Sequence, residues 1–364
     1  MKKILYIVST LRRSGPTQQL YNLLRFSERG LFSPLILTLS PEPGDSFQQM
    51  FLELGTRIES LGLRRAEGLF FTGAQLRRRI DQFNPDLIHS QGFRADLLLA
   101  RARLPIPWLL TCRNDPYVDY SGMYGLILGR LMAFRHLSAM KRCSHVVACS
   151  KTIANCLHGR GIRSTAIPNG VQLLSPSGQI FLRNGGLKPP VFLSMGSLIP
   201  RKNMELLVKA FVQFSNFNSG TLLILGDGRN MEKLKSIAST STSVIFAGQV
   251  DNVVEYLSKA DYFVSSSFSE GLPNSVLEAL SAGLPAILSD IPSHREIAQE
   301  CPEACKLFKL NNGMDELVSI FSKASTIFSG VSRVGISRSV EKTFSAQSMS
   351  ENYQQEYLRI INLR

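Results

Sequence analysis

Short apolar runs, each separated from the next by a stretch long enough for a helix, recur from one end of this chain to the other. Strands joined in that way pair in parallel, because a helical crossover cannot close a hairpin, and a parallel sheet needs helices on both faces. The pattern predicts strands at 3–8, 34–39, 86–90, 107–111 and 145–149 in the first half. In the second half it predicts them at 191–195, 221–225, 244–247, 262–266 and 286–289. Helices are expected between them, including 18–25, 75–83 and 93–103. Asp251 is the expected N-cap of one helix, and Gly283 followed by Pro285 the stop of another. The fold class is therefore α/β, with doubly wound parallel sheets.

A chain of 364 residues exceeds the size at which one core keeps growing, so two domains are expected. Their joint falls in the Gly-, Pro-, Asn- and Ser-rich stretch 168–190. The expected division is an N-terminal domain over 1–172, a linker over 173–189 and a C-terminal domain over 190–345. A last helix, patterned from Met349 to Asn362 within 346–364, follows the second sheet and is expected to return to the first domain. Two such sheets facing each other would form a cleft from the carboxyl ends of their strands, where open sheets of this kind hold ligands.

The net charge of +13 is unevenly placed. Residues 1–175 hold 23 Lys and Arg against 11 Asp and Glu, and 19 of those cations are arginines; residues 176–364 hold 18 against 17. A basic first half suits an anionic membrane surface or a phosphate-bearing substrate. Nucleic acid is not expected as a partner, because the aromatic stacking motifs of the common RNA modules are missing. No apolar run approaches the ~18 residues of a membrane-spanning helix. The opening MKKILYIVSTLRRSG has too short an apolar core for a signal peptide and reads as a first buried strand. Six cysteines without a CxxC pair fit a reduced, cytoplasmic chain.

The densest cluster of candidate chemistry is SSSFSEGLPNSVLEALSAGLP, Ser265 to Pro285, with Glu270 and Glu278 either side of a Gly-Leu-Pro turn. Glu270 follows a predicted strand at its carboxyl end, the ligand side of such a sheet. Pro273, Asn274 and Ser275 then start a helix whose unbonded N–H groups and positive dipole end suit a phosphate. Glu278 is expected in its first turn. Ser275 and Glu278 also match a capping box, which leaves a purely structural reading of Glu278 open. Other loops leave the same edge: Gly196 and Ser197 lead to Arg201 and Lys202, a cation pair suited to a diphosphate. Gly226 and Asp227 stand in GDGRN, and Gln249 and Val250 in GQVDN, whose backbone could hold a base.

In combination these segments resemble the family 4 glycosyltransferases of the E-x7-E type, over nearly the whole chain. SEGLPNSVLEALSAGLP is similar to the family's E-x7-E block, and MGSLIPRKNMELLVKAF, LLILGDGRN, VIFAGQV and IPNGV match its other landmarks in order. STLRRSGPTQQLYNLL, with Gly15, looks like its first glycine-bearing loop and helix. The resemblance implies the GT-B fold of two facing Rossmann-like domains, as in enzymes of bacterial surface-polysaccharide biosynthesis. It implies that Glu270 contacts the donor sugar near its reacting carbon and Glu278 the ribose hydroxyls. Gly271, Leu272 and Pro273 would touch sugar and phosphate through their backbone, and Arg201 and Lys202 would neutralise the leaving diphosphate. Two positions depart from the pattern: Ser197 stands where the family commonly has arginine, a charge Arg201 would supply, and Gln172 replaces the usual Asp after Asn169-Gly170-Val171.

On the acceptor side many relatives carry His-x-His; here His89 is kept and Gln91 replaces the second histidine. His89, Arg113, Asn114 and Asp115 are the expected acceptor contacts. A long amphipathic helix is expected near 121–142, with Arg130, Leu131, Phe134, Arg135, Lys141 and Arg142 within one arc of about 140°. That face would meet an anionic membrane from the cytoplasm. The activity implied is a retaining transfer of a hexose or N-acetylhexosamine from a nucleotide diphosphate sugar, expected to be UDP-linked, to a hydroxyl of a lipid-linked glycan. No Asp-x-Asp motif occurs, and neither a metal nor another cofactor is expected. A nicotinamide-dependent oxidoreductase and a non-catalytic sugar-nucleotide binding protein are the alternatives. The first would need a complete Gly-x-Gly-x-x-Gly turn, and Met231 stands where the third glycine should be.

Overall fold

The computed structural model describes residues 1–63, 72–174 and 187–363. It divides into two compact units, Met1–Gly170 with Ala346–Arg364, and Val171–Ser345. Most of the linker expected over 173–189 lies outside the described residues.

The first unit runs β1 (Lys2–Val8), α1 (Gly15–Arg25), β2 (Phe32–Thr38), α2 (Gln48–Glu53), β3 (Arg57–Ser60), α3 (Thr72–Phe83) and β4 (Leu87–Gln91). It continues with α4 (Phe93–Ala102), β5 (Trp108–Cys112), α5 (Pro116–Tyr124), α6 (Leu126–Met140), β6 (His145–Ala148), α7 (Lys151–His158) and β7 (Thr165–Ala166). All neighbours in the order β3-β2-β1-β4-β5-β6-β7 are parallel. Alternate residues of β1 serve opposite faces, as the period of a strand requires. Ile4 and Tyr6 pack with Leu20 and Leu23 of α1, while Leu5 and Ile7 pack with Leu76 and Ile80 of α3. Burying each such side chain contributes about 1.5–3 kcal/mol.

The second unit repeats the plan with β8 (Val191–Met195), α8 (Met204–Ser215), β9 (Thr221–Leu225), α9 (Met231–Ala238), β10 (Val244–Gly248), α10 (Val253–Lys259) and β11 (Tyr262–Ser265). Then come α11 (Asn274–Ser281), β12 (Ala286–Ser289), α12 (Pro292–Glu300), β13 (Cys305–Phe308), α13 (Gly313–Ile327) and α14 (Arg333–Phe344). Its order is β10-β9-β8-β11-β12-β13, again all parallel. Phe192, Phe211, Phe214 and Phe321 form an edge-to-face aromatic cluster at its core.

The closing helix, α15 (Ala346–Asn362), belongs to the first unit. Tyr353 and Tyr357 are buried against β1 and α1, and Ser350 Oγ donates to Leu23 O at 2.7 Å.

Three expectations are corrected. The sheets hold seven and six strands rather than five each: β3, β7 and β13 are edge strands, paired on one side only and too short to show a period. Asn252, not Asp251, caps α10, its side chain accepting from Glu255 N. The single helix expected near 121–142 is two helices, α5 and α6, broken at Gly125, whose φ is +80°. The pair packs closely because Gly129 lacks a side chain: a Cβ there would lie 2.5 Å from the Ser121 backbone. Among the described residues no helix is long and apolar enough to cross a membrane.

Candidate active site

In the second sheet the strand order reverses between β8 and β11. This is the switch point where open sheets of this kind bind ligands. After β8 the chain passes Gly196 and Ser197; after β9 it passes Gly226 and Asp227. Gly196 N donates to Leu225 O at 2.9 Å, Leu198 N to Asp227 O at 2.9 Å, and Gly226 N to Gly248 O at 2.7 Å. A Cβ at Gly226, where φ is +126°, would lie 2.0 Å from Gly196 O, so only glycine lets these loops approach. Gln249 and Val250 follow Gly248 at the same edge, Gln249 exposed.

A 3-10 turn, Pro200–Lys202, presents the two cations, and the loop after β11 is tied onto it. Ser266 Oγ donates to Asn203 O at 2.9 Å, Phe268 N to Arg201 O at 2.9 Å, and Arg201 Nη1 to Ser269 O at 2.6 Å. These bonds deliver Glu270 to the cation pair. Its Oε2 lies 2.5 Å from Arg201 Nη1 and its Oε1 2.7 Å from Lys202 Nζ, while Ser267 Oγ donates to Oε1 at 2.7 Å. The Glu270 side chain is only 5% exposed. Burial works against its charge, but Lys202 and Arg201 outweigh burial and hold the carboxyl at about 2.

Gly271, Leu272 and Pro273 are buried, and α11 begins at Asn274 with Pro273 at its N-cap. Pro273 makes no side-chain cap bond, and Ser275 lies inside the helix as its second residue, so the capping box of Ser275 and Glu278 does not form. Glu278 is the fifth helical residue and opens the second turn, not the first. Loss of hydration raises its carboxyl to about 7, with Lys202 pulling the other way. Two carboxylates of one short stretch are thus driven apart, one down towards strongly acid pH and one up towards neutrality.

Beneath Glu270 lies a group with no local signal in the sequence. His294, on α12, is wholly buried, and its Nδ1 donates to Ser289 O at 2.8 Å. Loss of hydration is the main cause that lowers it to about 4.

Gly15, expected at the donor, is the first residue of α1, next to its cap Ser14. Residues expected to meet an acceptor fare differently. His89 is wholly buried: Nδ1 meets Tyr357 OH at 2.7 Å and Nε2 meets Thr111 Oγ1 at 2.8 Å. Burial, then the Arg113 charge, lowers it to about 3, so it is a neutral residue of the core. Asp115 is bonded within the first unit. Its Oδ1 caps α5 by accepting from Tyr117 N at 2.9 Å, and its Oδ2 pairs with Arg160 at 2.8 Å. Burial raises its carboxyl, but the bonds from Arg160, Cys156 and Tyr117 N leave it below the ordinary range. Asn114 is half-buried, its carbonyl accepting the Cys112 thiol at 3.2 Å. Arg113, half-buried, donates to Asn169 Oδ1 at 2.7 Å and Gln91 Oε1 at 3.0 Å. Those bonds fix the orientation of the Gln91 amide, whose buried Nε2 has no hydrogen-bond partner among the described residues.

Residues 14–173 match the family model described as Glycosyltransferase Family 4, and residues 189–320 that described as Glycosyl transferases group 1. The chain belongs to the family 4 glycosyltransferases. Relatives include the uncharacterized glycosyltransferase MJ1059 of Methanocaldococcus jannaschii, 36% identical over 249 residues, which are 62% of this chain and 60% of that protein. The O-antigen biosynthesis glycosyltransferase WclY of Escherichia coli is 22% identical over 99% of this chain and 98% of its own length. Among solved structures, Anabaena Alr3699/HepE in complex with UDP-glucose superposes with a TM-score of 0.79 at 16% identity, covering 98% of this chain and 99% of that one. The fold is GT-B. Both family matches take in the segments described above: Gly15 to Gln172 falls in the first, Gly196 to His294 in the second.

Proposed function

We propose that this chain is a retaining glycosyltransferase that moves a hexose or N-acetylhexosamine from a UDP-sugar to a hydroxyl of a lipid-linked glycan during polysaccharide assembly. The observation that carries the reading is the ion-paired triad of Glu270, Arg201 and Lys202 beside the start of α11. Two converging cations and a helix N-terminus stabilise charge that develops on a departing diphosphate, the largest contribution expected of such a site. Glu270 then faces the sugar and Glu278 the ribose. The bond from the anomeric carbon to the diphosphate oxygen breaks, and the acceptor oxygen bonds on the same face. Its proton passes to the departing phosphate. No step needs a metal ion or another cofactor.

In the first unit, Arg113 and Gln91 are the polar groups proposed to hold the acceptor. The α5–α6 hairpin is proposed to place the chain on the cytoplasmic face of the membrane. Leu126, Ile127 and Phe134 are 70%, 89% and 61% exposed, and Arg130, Leu131 and Arg135 are exposed with them. Apolar side chains that enter the headgroup layer, flanked by arginines worth about 1 kcal/mol each near anionic lipid, suit interfacial binding.

Thermal unfolding against UDP, GDP, ADP, UDP-glucose, UDP-N-acetylglucosamine and NADH tests the donor reading. Ligand at ~100 times its dissociation constant adds roughly 2.7 kcal/mol, several degrees. A rise with one nucleoside diphosphate, reduced in Lys202→Ala, is expected; a rise with NADH alone would overturn the proposal.

A further inference from the structure

We infer that His294 is a positioning residue for Glu270, holding the carboxylate through a column of buried hydroxyls. Five polar side chains stand beneath Glu270 where a doubly wound sheet would ordinarily place apolar ones: Ser265, Ser266, Ser267, Ser289 and His294 are each at most 7% exposed. Their bonds run in one direction. His294 Nδ1 donates to Ser289 O at 2.8 Å and lies 3.1 Å from Ser289 Oγ. Ser289 Oγ donates to Ser267 O at 2.6 Å, and Ser267 Oγ donates to Glu270 Oε1 at 2.7 Å. With its proton on Nδ1, the ring turns Nε2 as an acceptor toward Ser265 Oγ, 3.5 Å away.

The column does work that the cations cannot. Arg201 and Lys202 neutralise Glu270, but both side chains are partly open to solvent, at 21% and 13%, and both are the groups a diphosphate would draw away. Ser267 is the Glu270 partner that faces the core, so it keeps the carboxylate in place while the cations change partners. Ser267 in turn is fixed through its carbonyl by Ser289, which His294 locks. A neutral ring suits this task, because a buried imidazolium would compete with Lys202 for the same carboxylate.

This inference rests on the donor-site reading, and its test separates the two. The 15N spectrum of the imidazoles reports His294 directly: the neutral Nδ1–H form is expected from pH 5 to 8, and an Nε2–H form or an imidazolium would overturn the column whatever the protein's activity. Steady-state release of UDP from UDP-glucose or UDP-N-acetylglucosamine is then compared among wild type, His294→Leu, His294→Asn and Ser267→Ala. Asn can offer an N–H where Nδ1 stood. Loss of a hydrogen bond in the chain to a charged group should lower kcat about tenfold or more in His294→Leu and Ser267→Ala, with KM for the donor within about twofold. His294→Asn should recover most of that loss. A folded His294→Leu with wild-type kcat, or equal losses in the Asn and Leu variants, would overturn the inference. Wild type that turns over neither sugar nucleotide would instead count against the donor-site reading, leaving the spectrum to judge the column.

Discussion

Replacing Glu270 with glutamine should separate what this carboxylate does for the fold from what it does for a ligand. In the free protein it pairs with Arg201 at 2.5 Å and Lys202 at 2.7 Å, and its pKa is about 2 against an ordinary 4.5. At 1.36 kcal/mol per unit, that difference is about 3 kcal/mol of folding stability. Because the folded value lies below the unfolded one, this stabilisation is complete above pH 4.5 and is lost as pH falls towards 2. Glu270→Gln removes it at every pH and leaves two half-buried cations without their anion. At pH 7 the variant should therefore be about 3 kcal/mol less stable, lowering the unfolding midpoint by roughly 6–12 °C for a unit of this size. The cations it leaves bare are those proposed to take the diphosphate, which no longer has to displace an internal carboxylate. UDP should bind Glu270→Gln at least about tenfold more tightly, with about 3 kcal/mol as the ceiling, while sugar transfer is lost. Calorimetric titration with UDP at low salt, alongside melting curves with and without UDP, reads both effects. A variant as stable as wild type, or one that binds UDP more weakly, would refute the reasoning.

Glu278 should behave in the opposite sense. Its folded pKa of about 7 exceeds the ordinary 4.5, so between those values the folded protein holds more protons and stability falls as pH rises, by about 3 kcal/mol in all. Glu278→Gln is expected to flatten that profile, being more stable than wild type at pH 8 and no more stable at pH 4.5, as chemical denaturation at each pH would show. Gly226→Ala puts a Cβ 2.0 Å from Gly196 O, a clash no rotamer relieves, and should cost roughly 3 kcal/mol or more together with UDP binding. Ile127→Asp with Phe134→Asp should abolish sedimentation with phosphatidylglycerol vesicles while leaving the melting temperature within about 2 °C, since both side chains are exposed.

What the sequence disclosed and what it concealed follow from where each residue's partners come from. The strands of both sheet centres were legible because a strand covered on both faces is a run of apolar residues, as KILYIV and TLLIL are. β3 was not, because an edge strand such as Arg57–Ser60 can be half polar and still pair, and β13, Cys305–Phe308, is too short to stand out. The break at Gly125 was hidden because one glycine leaves helical periodicity intact; it is Gly129 that lets the two halves fold together. His89 and Asp115 have the residue types of a ligand site, but their partners arrive from afar, Tyr357 from 268 residues on and Arg160 from 45. His294 was missed although its partner Ser289 is only five residues away, because that bond matters only through Ser267. Yet Arg201 and Glu270 are 69 residues apart and their kinship was visible. The difference is topological. β8 and β11 are neighbours at the reversal of strand order, so the loops after them must emerge side by side wherever the chain wanders between. Sequence distance misleads for a helix that lands on a sheet face, because nothing local states the landing point. For loops at the carboxyl edge of a doubly wound sheet, strand order alone converts it into proximity, so a carboxylate after one strand meets two cations after the next.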